Sequence, residues 1–330
     1  MKRAAGLFLA VPVLLLLAAC QAEQSVMAPH GPVASEIAAL AWLLFALAAL
    51  ILLIVGISLW IALRGSVHLR AILADTRAVH IGGIVFPIVT LTALLIYGFS
   101  LTRTTGQASG GDPSLRVDVV GEQWWWRTTY VTADGARISG ANEIRMPVGQ
   151  EVEFVLTSAD VIHSFWVASL GGKVDMIPGR VNRLRLTAER PGIYRGQCAE
   201  YCGGAHAWMG IKVVALEPRD FADWLRNQAA PGVPPDNEDT RRGQAIFLSA
   251  GCGACHEVRG TDAKGTIGPD LTHLGARHSV GVDTLPLTRE NIRRFIVDGQ
   301  HVKPGNLMPP FRIFTEEELN ALSAYLAALR

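Results

Sequence analysis

Net charge is nearly absent from this sequence: 30 Lys and Arg stand against 29 Asp and Glu, leaving +1 over 330 residues. So even a balance sets up no long-range field, and the later polar stretches mix both signs, so the chain shows no sign of binding nucleic acid or a strongly anionic partner. Cysteine is scarce and odd in number. Five thiols (Cys20, Cys198, Cys202, Cys252 and Cys255) exclude a plain disulfide framework. No methionine lies between Met209 and Met308, and none follows Met308. Charged residues are missing from two apolar stretches, about 37–63 and 81–101. Hydrophobic residues make up 50% of the chain, a high share for a purely soluble protein, and the excess is concentrated in the first hundred residues.

Each of the two uncharged stretches is long enough to cross a hydrocarbon core of about 30 Å as a helix. Their connector carries Arg64, Arg70 and Arg77 against a single Asp75. The positive-inside rule therefore puts it in the cytoplasm and everything after Thr102 on the exported, periplasmic side of a bacterial inner membrane. Ahead of these spans, Met1-Lys2-Arg3 and the apolar run 7–19 have the layout of a secretory signal. The run ends Leu17-Ala18-Ala19-Cys20, which resembles a lipobox. Residues 1–20 are thus expected to be a lipoprotein-type signal, with Cys20 lipidated and held in membrane lipid. Ordinary cleavage near Ala19 would instead leave Cys20 a free thiol. Residues 21–110 form the anchor.

The pattern changes at about residue 111. Short alternating runs such as Arg116–Val120, Glu151–Leu156 and Arg183–Leu186 predict half-buried strands. Asp134-Gly135, Pro147-Val148-Gly149, Gly171-Gly172 and Pro191-Gly192 punctuate them. Many short strands predict a Greek-key β-sandwich or barrel over 111–228, followed by a helix from Pro218 to Gln228. Its chemistry is concentrated in Cys198-Ala199-Glu200-Tyr201-Cys202-Gly203-Gly204-Ala205-His206-Ala207-Trp208-Met209, with His163 upstream in Val161–Trp166. Soft sulfur ligands with imidazoles favour copper or zinc, and the methionine argues against a closed structural zinc site. A Cys198–Cys202 disulfide would leave His163, His206 and Met209 unexplained.

The pattern C-x-E-x-C-G-x-x-H-x-x-M, with D-V-I-H-S-F before it, resembles the dinuclear copper A site of cytochrome c oxidase subunit II. The resemblance implies a cupredoxin-like fold in which Cys198 and Cys202 bridge two copper ions. His163 and Met209 would complete one copper, and His206 with the backbone carbonyl of Glu200 the other. The Glu200 side chain would help hold magnesium at an interface with subunit I, which Lys173–Arg180 would also face. Gly121–Trp126 resembles the family's aromatic segment, in which Trp124 would carry electrons towards the copper; a tryptophan stripe by itself reads as core packing. Where many members place a glutamate used for proton entry, counting back from Pro87 gives His80.

A Pro-rich stretch over 229–239 predicts a semi-extended linker. The remaining residues, 240–330, look helical and contain Cys252-Gly253-Ala254-Cys255-His256. C-x-x-C-H is the attachment pattern of haem c, with two thioethers at Cys252 and Cys255 and His256 as an axial ligand. Met308 is the one methionine available as sixth ligand; His273, His278 and His301 are the alternatives. This stretch resembles class I cytochromes c, in which Gly268-Pro269 would orient His256. Thr315 and Glu318 form a capping-box pattern ahead of Leu319, Leu322, Leu326 and Leu329.

Together the resemblances imply the electron-entry subunit of a respiratory cytochrome c oxidase. A donor such as a soluble or membrane cytochrome c would reduce the haem, the haem would reduce copper A, and copper A would pass electrons to subunit I, beside other oxidase subunits. Dioxygen reduction and proton pumping would belong to subunit I. Two alternatives use the same motifs: a copper A subunit of a nitric oxide reductase, and a membrane-anchored copper-binding protein without turnover.

Overall fold

The computed structural model describes residues 24–106, 113 and 115–330; Cys20 and the signal segment lie outside them. Two compact units emerge, one of residues 35–112 and one joining the segment before it to 113–330.

The first unit is helical. Helix α1 spans Pro32–Arg64, 33 residues. Helices α2 (Val67–Ala74) and α3 (Thr76–His80) follow, then a π-turn over Ile81–Val85 and helix α4 (Phe86–Gly106). Pro32–Arg64 and Thr76–Thr102 are both long and apolar enough to cross a membrane. Both helical stretches begin about five residues before the apolar runs expected at 37 and 81. The α-helical backbone needs only continued φ/ψ and a cap, and the Asp75 side chain accepts the Arg77 N–H at 2.7 Å to start the second stretch. The π-turn lies directly before Pro87, whose missing N–H disrupts the regular i→i−4 ladder. His80 is exposed, and its Nδ1 lies 2.7 Å from the Thr76 carbonyl.

The second unit opens with ten strands in two five-stranded sheets, ordered β3-β2-β1-β5-β8 and β4-β10-β9-β6-β7. Their ranges are β1 Leu115–Glu122, β2 Trp125–Val131, β3 Arg137–Ala141, β4 Glu143–Pro147, β5 Val152–Ser158, β6 His163–Trp166, β7 Val174–Met176, β8 Asn182–Leu186, β9 Gly192–Cys198 and β10 Gly210–Leu216. Strand β1 alternates buried and half-buried residues along its whole length, as period-two patterning requires. Pairing is antiparallel except for β1 with β5 and β4 with β10. Trp126, Tyr130, Phe154 and Phe165 fill the space between the sheets, fully buried, each contributing about 1.5–3 kcal/mol of transfer free energy. The fold is a cupredoxin-like sandwich. Helix α5 (Pro218–Ala229) closes it, with Trp224 against Tyr130.

Helices α6 (Glu238–Ser249), α7 (Arg289–Val302) and α8 (Glu316–Ala328) build the C-terminal part around Phe247, Ile292, Leu322 and Tyr325, with a two-strand hairpin, β11 (Ser279–Val280) and β12 (Leu285–Pro286). The Thr315–Glu318 capping box forms. Helix α6 starts earlier than expected, because Asn237 and Thr240 make a reciprocal cap, so the irregular connection is shorter than 229–239. That connection is also tied down: Gly232 N–H donates to the Arg259 carbonyl at 2.8 Å.

The helical part is docked on the sandwich by buried polar contacts. Glu143 accepts the backbone N–H groups of His278 at 2.5 Å and Ser279 at 3.2 Å. Asp270 accepts the Ser139 hydroxyl at 2.6 Å and pairs with Arg259. Asp283 pairs with Arg195 at 2.8 Å and with Lys212. Val282, beside it, enters the sandwich core with φ +64°, a left-handed conformation that a β-branched residue adopts only where its surroundings impose it. Burial alone would raise the pKa of Glu143 and Asp270, but His278 for the first, and Arg259 together with Ser139 and Thr272 for the second, outweigh it, and both carboxyls are held below their usual range. Depressed folded values mean that this stabilisation is complete above the ordinary carboxylate range, about pH 4, and is lost as pH falls through the lower folded values. Docking is therefore expected to loosen as the pH falls from about 4 into the acid range. Small-angle scattering across that range checks this: an expanded particle at low pH is expected, and unchanged dimensions would refute it.

Candidate metal centre and haem site

The sandwich converges its sulfur and imidazole groups at one end. His163 opens β6 and Cys198 closes β9, and these strands are neighbours in one sheet, Phe165 facing Cys198. The β9–β10 loop then brings round Glu200, Cys202, His206 and Met209. Cys198 Sγ lies 3.8 Å from Cys202 Sγ, 3.9 Å from His163 Nδ1 and 3.2 Å from the Glu200 carbonyl oxygen. Cys202 Sγ lies 3.5 Å from His206 Nδ1 and 3.8 Å from Met209 Sδ. Both cysteines are free thiols, and the ligand atoms of His163, Cys198 and Cys202 all fall within 4.8 Å of one another. The disulfide reading is thus not realised. Two thiols, two imidazoles, a thioether and a carbonyl face one small volume, a donor set that fits soft, thiolate-bridged copper.

Electrostatics prepare the same volume. The Cys202 thiol donates towards Cys198, which brings the Cys198 thiol down to about 4, and Cys202 is raised in turn. Burial opposes charge on His163, but the hydrogen bonds it donates to Cys198 and Asp160 together outweigh burial and raise its pKa. Asp160 is the one neighbour the sequence reading missed. Its Oδ1 lies 2.8 Å from His163 Nε2, and its Oδ2 accepts the Gln123 N–H at 2.7 Å. A carboxylate on the far nitrogen fixes the imidazole so that Nδ1 faces the sulfurs. Asp160→Asn is expected to weaken copper binding about 10- to 100-fold, read by competitive chelator titration of the full chain; unchanged affinity would leave Asp160 without this role.

Trp124, in the β1–β2 turn, sits against this loop. Its Nε1–H donates to the Cys202 carbonyl at 3.0 Å, and Gln123 Nε2 donates to the same oxygen at 2.8 Å. The Glu200 side chain is exposed and lies 3.6 Å from Lys173 Nζ, which also contacts Asp175.

In the helical part, Cys252 and Cys255 are free thiols separated by a single 3-10 turn. His256 Nδ1 lies 2.8 Å from the Pro269 carbonyl. With that nitrogen as donor, Nε2 keeps its lone pair, and burial holds His256 below the usual imidazole value. Gly268 presses on the ring so closely that a Cβ would lie 2.5 Å from His256 Cε1, so a side chain here would displace the imidazole. Met308 packs on the core that includes Phe247 and Leu322, as does Cys252. A neutral, oriented imidazole beside paired thiols, with a thioether in the same core, fits a covalently held haem. Of the alternative ligands, His273 Nε2 lies 3.1 Å from the Ala230 carbonyl and His278 pairs with Glu143.

Residues 128–216 match the family described as cytochrome c oxidase subunit II, periplasmic domain, and residues 240–330 match cytochrome c. A cytochrome c oxidase subunit 2 from Alkalihalophilus pseudofirmus is 32% identical, the alignment covering 96% of this chain and 94% of the relative. The chain belongs to that family. A subunit 2 from Bacillus subtilis is 30% identical over 74% of this chain and 73% of its own. A solved periplasmic domain of subunit II from Bradyrhizobium japonicum is 32% identical, covering 36% of this chain and 95% of that one, with a TM-score of 0.34. As a member of the family, the chain is an oxidase subunit with an electron-transfer role, and its two matched domains imply copper and haem.

Proposed function

We propose that this chain is the electron-entry subunit of a respiratory cytochrome c oxidase, taking electrons through its own haem c to a dinuclear copper A centre. The observation that carries the reading is the convergence of Cys198, Cys202, His163, His206, Met209 and the Glu200 carbonyl within a few ångströms. Cys198 and Cys202 would bridge the two coppers; His163 with Met209, and His206 with the Glu200 carbonyl, would complete them. Bound there, a copper pair supplies one-electron redox chemistry with the charge change spread over both ions. The protein's part is rigidity: buried ligands, Asp160 behind His163 and the Trp124–Cys202 hydrogen bond leave little to rearrange when charge arrives.

Cys252 and Cys255 would hold the haem as thioethers, with His256 and Met308 as axial ligands. Pro269 and Gly268 fix the His256 ring. Trp124 would stand on the route to copper A. The exposed Glu200 side chain, with Lys173 and Asp175 beside it, would face subunit I and share a magnesium ion there. Helices α1 and α4 would span the bacterial inner membrane, with the soluble domains on the periplasmic side and Cys20 lipidated. Signal, anchor and copper segments would follow the boundaries expected from sequence, with the linker shortened by the early start of α6. Dioxygen reduction and proton translocation would take place on subunit I.

The test is purification with partner subunits from membranes, followed by optical spectra and dioxygen uptake with reduced cytochrome c. Uptake at the expense of reduced cytochrome c is expected. Nitric oxide consumption without dioxygen uptake would transfer the assignment to a reductase, and absence of any turnover would favour a copper-binding protein.

A further inference from the structure

Lys303 is an unusual residue to find inside a protein. It lies in the loop that leads from α7 to Met308, and it is 2% exposed. Removing an ammonium group from water costs several kcal/mol unless something is gained in return. Among the described residues, its Nζ has one hydrogen-bond acceptor, the main-chain carbonyl of Trp124, 179 positions away. Burial without a carboxylate partner pulls Lys303 down to about 7. A solvent-facing orientation would avoid that cost, so the buried one implies a geometric requirement.

The surrounding contacts show what is held. Two residues on, Gly305 (φ +88°) is so close to the Trp124 ring that a Cβ would lie 3.3 Å from Cζ3 and 3.5 Å from Cη2. The copper loop meets the same ring, where a Cβ on Gly203 would lie 3.1 Å from Cζ2. The loop is braced internally as well. Asn306 Nδ2 donates to the Lys303 carbonyl at 2.9 Å, and Asn306 Oδ1 accepts the Met308 N–H at 3.0 Å. Gln300 Oε1 accepts the Gly305 N–H at 3.2 Å. From Met308 to Cys202 the contacts therefore run unbroken: Met308 N–H to Asn306, Asn306 to Lys303, Lys303 to Trp124, and Trp124 to Cys202.

We propose that Lys303 and Gly305 form an intramolecular clamp on Trp124, fixing the Met308 loop against the copper loop so that the two centres exchange electrons through this contact. Lys303 is a positioning residue. The proposal rests on the serial haem-to-copper reading and names the junction that reading leaves open. In the step the clamp serves, one electron passes, ferrous haem iron being oxidised and the copper pair reduced, with no bond or proton transferred. Because the clamp belongs to the same chain, the face of Trp124 that it covers is occupied by the chain's own haem domain.

The experiment uses the full-length chain in detergent, carrying haem and copper, with flash photoreduction of the haem and the copper band followed in time. Lys303→Met keeps length and apolar volume but removes the donor; the internal transfer rate is expected to fall about tenfold or more. Both optical spectra, both potentials and the rate of haem reduction by the external reductant should stay as in the parent, which a general loss of structure would not permit. Hydrogen–deuterium exchange, which needs no electron transfer, should rise over 300–308 and 122–126. Gly305→Ala tests the same contact without touching charge, and decides alone if Lys303→Met loses its haem spectrum. Internal rates within about twofold of the parent in the readable variants, with unchanged exchange, would overturn the clamp. Absence of any haem-to-copper transfer in the parent would overturn the serial reading itself, a result distinct from a parent that transfers and variants that do so equally well.

Discussion

Cys202→Ser is expected to abolish the near-infrared copper band while leaving the haem absorption intact. Cys202 Sγ is the sulfur within 4 Å of Cys198, His206 and Met209 together. Through Cys198 it also connects the His163 side of the cluster to the His206 side. A serine hydroxyl is a hard oxygen donor that does not ionise near neutral pH, so it can neither match a thiolate's softness nor bridge two soft ions. The loss of copper affinity should therefore exceed the roughly 10- to 100-fold cost of an outer-shell change such as Asp160→Asn. Cys252 and Met308 pack on a different core cluster from the one that contains Cys202, so the haem spectrum should persist. Elemental analysis and absorption spectra of the intact chain check both halves. Loss of both signals together would mean that the centres are not separate.

The second large effect concerns Met308. Replacing it with alanine removes the thioether from the core it shares with Cys252 and Phe247, and no other methionine follows Met209. Thioether ligation favours ferrous iron relative to harder axial donors, so its loss should lower the haem potential by a sizeable part of the roughly 0.8 V that axial ligation spans. The absorption spectrum should shift with it. Redox titration of the full chain gives the answer, and an unchanged spectrum would assign the sixth position to a residue other than Met308. Alanine keeps the main-chain N–H that Met308 donates to Asn306, so the loop that clamps Trp124 should stay in place. Lys303→Met is expected to slow transfer with the potential unchanged, which separates tuning of the haem from positioning of the route.

Which features were legible in the sequence follows from how local each signal is. The candidate copper donors were readable because four of them lie within twelve residues, and the candidate haem attachment because its three residues lie within five. Strand β1 was readable because alternation survives wherever one face is buried. Helix limits were less so: hydropathy marks where side chains are apolar, whereas Pro32, Asp75 and the turn before Pro87 decide where the backbone starts or widens. Asp160 was in plain view, three residues before His163, but a single acidic residue carries no sign of which nitrogen it will meet.

By itself, then, the sequence determined the kinds of donor atom, their order along the chain, the two apolar helices, the sandwich and the helical C-terminal part. These are properties of neighbours in sequence, expressed through periodicity and fixed spacing. Only the tertiary structure decided that Asp160 meets the far nitrogen of His163, that Glu143, Asp270 and Asp283 tie the helical part to the sandwich, and that Lys303 reaches Trp124 across 179 positions. Such contacts depend on which surfaces meet once each core has formed. No local pattern encodes that choice, because the cost of burying a charge is settled by a partner that the chain supplies from far away.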